Sequence, residues 1–374
     1  MLGKASKRST PPFRADHVGS LLRPKELLVM REKFKAGEVS AAELRALENK
    51  SIERAVKLQE EAGLQSITDG EYRRASFHGD FIDKIIGVEF KQVFTPGGDG
   101  SRESKAPFVA AISDRMQLPA GGIEIENFKF LNSLTERTTK ITIPSPTMTH
   151  FRGGRKAISE TAYPEMSDFF QDLARVYQEE VSALAEAGCQ YLHMDDTNLA
   201  YLCDEKMRQE AVARGEDVNQ LVHDYAALIN SSISTRPESM AACVHLCRGN
   251  ARSAWFAQGG YEPVAEVIFN EMNVDGFFLE YDDERSGGFE PLRFVPKDKY
   301  IVLGLISSKF GELESKDAIK KRIEEATAYI DLEQLCLSPQ CGFASVEKGN
   351  MLTEDDMKRK LALVVEIADE VWGE

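Results

Sequence analysis

Two periods of apolar and polar residues alternate along this chain. Short apolar runs bounded by glycine, proline or polar clusters predict buried strands. Stretches with apolar residues three and four apart predict amphipathic helices. Runs of the first kind fall at 13–20, 65–71, 139–144, 190–196, 240–247, 275–280, 300–306 and 334–338. Helical patterns fall near 25–35, 40–62, 165–187, 204–232, 261–271, 315–330 and 354–372. Eight strands, the last six separated mostly by helices, predict an α/β fold of the TIM (β/α)8 barrel type. Residues 84–137 break the rhythm with Gly97-Gly98-Asp99-Gly100, Pro119-Ala-Gly-Gly122 and the alternating Ile123-Glu-Ile-Glu126. They predict a β-rich insertion after the second strand, so 1–374 is expected to form one barrel domain with 84–137 inserted in it.

In such a barrel the C-terminal ends of the strands carry the active site. Here those ends read His17-Val-Gly-Ser20, Asp69-Gly-Glu71, Pro144-Ser-Pro146, His193-Met-Asp-Asp196, His245-Leu-Cys247, Leu279-Glu280, Ser307-Ser-Lys309 and Pro339-Gln-Cys341. Four of the six histidines, His17, His150, His193 and His245, lie at or near them. Stability alone does not call for imidazole, thiol and carboxylate at the top of strand after strand. Some polar residues, such as Asp282, Asp283 and Glu284, read as loop positions facing water.

Side chains alternate faces along a strand, so His245 and Cys247 point the same way, about 6.6 Å apart along the backbone. Glu280 ends the next strand and Cys341 follows the last one. Two sulfurs, one nitrogen and one carboxylate suit Zn²⁺, and ligands drawn from three distant strands fit a catalytic site better than a structural zinc module. Cys243 shares the face of His245 and offers an alternative pair.

Composition narrows the partners. A net charge of −15 repels phosphate backbones and anionic lipid, which makes nucleic acid and membrane surfaces poor partners. No run of 18 apolar residues is present and no hydrophobic segment follows the basic start, so a cytoplasmic protein is expected. Six scattered cysteines do not make a disulfide framework, and those outside the core are free to be metal ligands or nucleophiles.

At these residues the chain resembles the catalytic C-terminal barrel of cobalamin-independent methionine synthase, and its short single-barrel relatives more closely still. The likeness spans nearly the whole chain. It rests on His17-Val-Gly-Ser-Leu-Leu-Arg-Pro24, Cys247-Arg-Gly-Asn250 and Leu337-Ser-Pro-Gln-Cys-Gly-Phe-Ala-Ser345. The resemblance implies zinc held by His245, Cys247, Glu280 and Cys341. It also implies an amino-acid carboxylate at Val18, Gly19 and Ser20, and the homocysteine amine at Glu71 and Asp195. Zinc would activate homocysteine as its thiolate for methylation to methionine. The donor half departs from the family. Phe151 stands where the family stacks a tryptophan on folate, and Tyr201 where a carboxylate contacts it. Ser307 replaces the proton-donating histidine, which leaves His150, His193 and Lys309 as candidate acids.

Three readings follow. The first is a zinc-dependent S-methyltransferase with homocysteine as acceptor and a methyl-folate, a methylated corrinoid or a small methylated metabolite as donor. The second keeps the metal but takes a different thiol, as in coenzyme M transferases. The third is a non-catalytic zinc or amino-acid binding protein. The sequence does not fix the oligomeric state, and a homodimer is compatible with it.

Overall fold

The computed structural model describes residues 8–92, 108–251, 254–344 and 346–373. The glycine-rich stretch 97–100 and Ser345 lie outside these residues. In chain order the strands are β1 (Ser66–Ile67), β2 (Ile86–Gln92), β3 (Phe108–Gln117), β4 (Thr138–Pro144), β5 (Tyr191–Asp196), β6 (Ala241–Leu246), β7 (Asn250–Ala251), β8 (Ala254–Trp255), β9 (Gly276–Glu280), β10 (Tyr300–Ile306) and β11 (Leu335–Pro339). β1, β4, β5, β6, β9, β10 and β11 pair side by side in that order, each ladder parallel. This curled sheet with helices outside it is the α/β barrel that the strand–helix rhythm predicts.

The first two predicted strands are much shorter than expected. Segment 13–20 makes one bridge, Ala15 to Leu337, through Asp16 N–H to Leu337 O at 3.0 Å and Leu337 N–H to Arg14 O at 2.8 Å. On its other side Leu21 N–H reaches Gly70 O at 3.0 Å and Thr68 Oγ1 reaches Gly19 O at 2.7 Å. The segment therefore sits between the two ends of the sheet without joining a ladder. The Asp16 carboxylate explains why. It accepts from the backbone N–H of Phe13 and His17 at 3.2 and 2.8 Å, diverting donors that a ladder would need. Likewise β1 stops at Ile67, because Asp69-Gly70-Glu71 turns. Gly70 has φ 66° and Glu71 φ 59°, and Glu71 is the one non-glycine with positive φ among the described residues.

Two helical expectations also change. The pattern at 204–232 is two helices, Glu205–Ala213 and Val218–Ser232, because Asp217 accepts from Asn219 and Gln220 N–H and starts the second. Within the predicted insertion, β2 and β3 form an antiparallel hairpin. The alternating Ile123-Glu-Ile-Glu126 instead enters the helix Ile125–Asn132, burying Ile125, Phe128 and Leu131 at helical spacing. No helix of the described residues is long and apolar enough to cross a membrane.

Inside the barrel, Lys140 and Asp16 form a fully buried ion pair at 2.7 Å that Tyr191 Oη joins at 2.9 Å. Gly304 of β10 is closely hemmed in by its neighbouring strands. A methyl group there would lie 2.6 Å from Gln340 Cα and 2.8 Å from Leu279 O, both backbone atoms. Gly304→Ala is expected to destabilise the fold by about 1–3 kcal/mol, the usual cost of overpacking, measurable as a lower urea midpoint.

Candidate metal centre

β6 ends at Leu246, and Cys247 N–H still pairs with Asp196 O at 2.8 Å, so His245 and Cys247 leave the sheet in register. Glu280 ends β9, its N–H held by Tyr261 Oη at 2.8 Å. Cys341 follows Pro339 at the end of β11. The ligand atoms of His245, Cys247, Glu280 and Cys341 all lie within 4.8 Å of one another; His245, Glu280 and Cys341 are buried and Cys247 is partly open. The two sulfurs are 3.6 Å apart, far from disulfide distance, and His245 Nε2 is 3.9 Å from Glu280 Oε1. Ligands about 2.0–2.3 Å from a zinc ion in a tetrahedron lie about 3.3–3.8 Å from one another. The donor set therefore matches the size of that site.

Glu280 Oε1 is buried and has no hydrogen-bond partner, an arrangement a cation would complete. Its other oxygen accepts from Arg248 N–H at 3.1 Å and Arg285 Nη2 at 3.2 Å. His245 Nδ1 pairs with Asp195 Oδ1 at 2.9 Å, which aims Nε2 at the cluster. Crowding shows in the acid–base behaviour. The hydrogen bond with Cys247, then burial, then the charges of Cys247, Glu280 and Asp195 push the Cys341 thiol well above its ordinary pKa. Such an excess of negative groups is what a divalent cation neutralises.

A cavity of about 230 Å³ opens beside the cluster. Its lining includes the polar Ser20, Glu71 and Asp195 with Cys247 and Cys341, and also Phe77, Tyr201, Phe256 and Arg152. Glu71 reaches the cavity from its left-handed turn, with its N–H held by Asp69 Oδ1 at 2.8 Å. Burial, only partly offset by Arg74, raises its pKa well above the carboxylate range, and its Oε1 is unpartnered. Asp195 is held low despite its burial by the two histidines beside it, His193 and His245.

Over residues 13–370 the sequence matches the family model described as "Cobalamin-independent synthase, Catalytic domain". The chain belongs to that synthase family. It is 45% identical over 384 residues to the uncharacterized YxjG of Bacillus subtilis, covering 99% of this chain and 97% of the relative. It is 25% identical to a Saccharolobus solfataricus methionine synthase, over 92% of this chain and 95% of that one. A Listeria monocytogenes crystal structure, provisionally named a vitamin-B12 independent methionine synthase, superposes with TM-score 0.80 at 40% identity, covering 98% of this chain and all of the other.

Against this synthase background, the candidate acids lie apart from the cavity. His150 Nδ1 bonds Tyr225 Oη at 2.9 Å among Phe169 and Phe170, and burial lowers its pKa to about 4. His193 is fully buried beneath Asp195, its Nε2 3.7 Å from Asp195 Oδ1, and burial takes it to about 4 as well. Lys309 pairs with Asp282 at 3.0 Å and Asp283 at 2.6 Å. Ser307 N–H is taken by Glu314 at 2.8 Å. Phe151 is buried behind Tyr201, with ring centroids 6.1 Å apart, and does not line the cavity; Val18 does, with Gly19 next to it. Cys243 lies deeper in the barrel with Tyr191 and Phe278, outside the four-donor cluster.

The sequence reading missed two parts of the site. Asp282 and Asp283 do not face water. Their side chains are 3% and 17% exposed, and Asp283 links Lys309 to Arg285, which supports Glu280. Arg285, four residues before Phe289-Glu-Pro291, carried no motif, and only its distance of five residues from Glu280 hinted at a role. Arg152 was also missed. We expect Arg285→Ala to weaken zinc binding by about 10–100-fold, the usual effect of removing an outer support, read by competition with a chromophoric chelator.

Proposed function

We propose that this chain is a zinc-dependent S-methyltransferase whose acceptor is homocysteine and whose product is methionine. One observation carries the reading: the four-donor cluster opens onto the same small cavity as Glu71 and Asp195. His245, Cys247, Glu280 and Cys341 would hold the metal. Zinc bound there supplies the positive charge that lets a thiol lose its proton near neutral pH. The chain's own residues do the rest. Glu71 Oε1, buried and unpartnered, is set to receive the acceptor's ammonium, with Asp195 beside it. Ser20 lines the same cavity, its Oγ accepting from Ala344 N–H at 3.3 Å, and would receive the acceptor's carboxylate. Holding both ends of the amino acid orients its sulfur toward the cluster, and such positioning supplies a large part of the rate of group transfer.

The two carboxylates also favour homocysteine over a sulfonate thiol, which has no ammonium and would meet like charge. Calorimetry of the zinc-loaded protein tests this. Homocysteine is expected to bind at least tenfold more tightly than 2-mercaptoethanesulfonate. Equal or reversed affinities would contradict the assignment of Glu71 and Asp195.

A further inference from the structure

The aromatic part of the cavity lining, Phe77, Tyr201 and Phe256 with Arg152, bears on the methyl donor of the function proposed above. Among the described residues lining the cavity there is no histidine or lysine. His150 and His193 are buried elsewhere, and Lys309 is tied to Asp282 and Asp283. Tyr201, the remaining hydroxyl-bearing aromatic, is made a poorer acid by burial. A donor that must be protonated before it releases its methyl group finds no histidine or lysine among the described residues lining the cavity, and the one carboxyl group raised there, Glu71, is assigned to the acceptor's ammonium. The lining instead offers aromatic faces, Tyr201 and Phe256 at 5.3 Å between centroids with Phe77 nearby. Ring faces attract methylated cations. Gly249, at φ 72°, lets them close up, since a Cβ there would sit 3.0 Å from Tyr201 Oη and 3.1 Å from Phe256 Cβ. The lining carries one cation among its described residues, Arg152, whose charge is felt by Tyr201 and His78. In a chain of net charge −15, a guanidinium facing a ligand cavity favours a carboxylate.

We propose that the methyl donor is a small methyl-onium carboxylate, with its methyl on a positively charged sulfur or nitrogen and its carboxylate paired with Arg152. The step balances without an acid. The acceptor thiol has already lost its proton to solvent. An electron pair on its sulfur forms the new S–CH3 bond as the bond from that carbon to the onium atom breaks. The breaking pair stays with the leaving atom, which departs as a neutral thioether or tertiary amine. A cavity of about 230 Å³ is below the roughly 300–1,000 Å³ typical of sites for drug-sized ligands, in keeping with a compact donor.

The test is transfer of a trideuteromethyl group to homocysteine by the zinc-loaded protein, with methionine read by mass spectrometry. The donors are S-methylmethionine, dimethylsulfoniopropionate, glycine betaine, methyl-folate and methylcobalamin. Labelled methionine from one or more of the onium donors is expected, and which of the three works separates sulfur from nitrogen. Arg152→Gln is expected to raise the KM for that donor at least tenfold while leaving the KM for homocysteine within twofold, with Arg152→Lys intermediate. Calorimetric binding of the same donor should weaken in parallel without acceptor present. Turnover with methyl-folate or methylcobalamin alone would overturn the donor assignment and leave the proposed function standing. A shift in the homocysteine KM instead of the donor KM would also overturn it. No methionine from any donor would overturn both.

Discussion

Replacing Cys247 or Cys341 by alanine is expected to remove zinc and methyl transfer together. A four-ligand zinc site is worth about 10–16 kcal/mol, so each ligand accounts for roughly 2.5–4 kcal/mol, or about 10²–10³-fold in metal affinity. The effect should fall on the metal more than on the fold. Cys247 is partly open to the cavity, and Cys341 lies beyond β11 rather than within a ladder. Metal analysis after dialysis, with circular dichroism as a control, should show folded protein with zinc well below one equivalent. Methionine formation surviving in a zinc-free Cys247→Ala protein would show that the cluster is not the reacting centre.

The second large effect concerns the acceptor. Glu71→Gln removes a charge that nothing else in the described structure pairs at Oε1. A hydrogen bond to a charged group is worth about 1.5–3 kcal/mol, so the homocysteine KM should rise about 10–100-fold with zinc content unchanged. Asp195→Asn should behave differently. Asp195 both faces the cavity and fixes His245 Nδ1 at 2.9 Å, so the homocysteine KM and zinc affinity should move together. Titration of both variants with homocysteine and with a zinc chelator separates the two roles. Identical profiles for the pair would contradict the division of labour between ammonium binding and ligand orientation.

How much of this was legible in the sequence depended on the kind of interaction. β4, β5, β6, β9, β10 and β11 are largely apolar runs, as a parallel sheet covered on both faces requires, and their ends could be placed. The metal donors stand directly at those ends, so strand alternation and barrel geometry brought His245, Cys247, Glu280 and Cys341 to one place before any coordinates. Segment 13–20 looked like a strand because its apolar pattern is right, but the competition was side-chain chemistry: Asp16 captures the backbone donors. Asp282 and Asp283 looked like surface loop carboxylates. Their shared partner, Lys309, lies 26–27 residues away, and no local pattern reports a pairing across two barrel loops. Arg152 follows Phe151 in an irregular loop, where periodicity carries no information about which side chains face a cavity.

The measurement that bears most directly on the account is labelled methionine formation from homocysteine, comparing protein stripped of metal, the same protein reloaded with one equivalent of zinc, and the reloaded Cys247→Ala variant. The full donor panel is supplied to each. The account predicts methionine only from the reloaded wild-type protein. Equal formation by the stripped and reloaded proteins, or none from the reloaded protein with every donor, would contradict it.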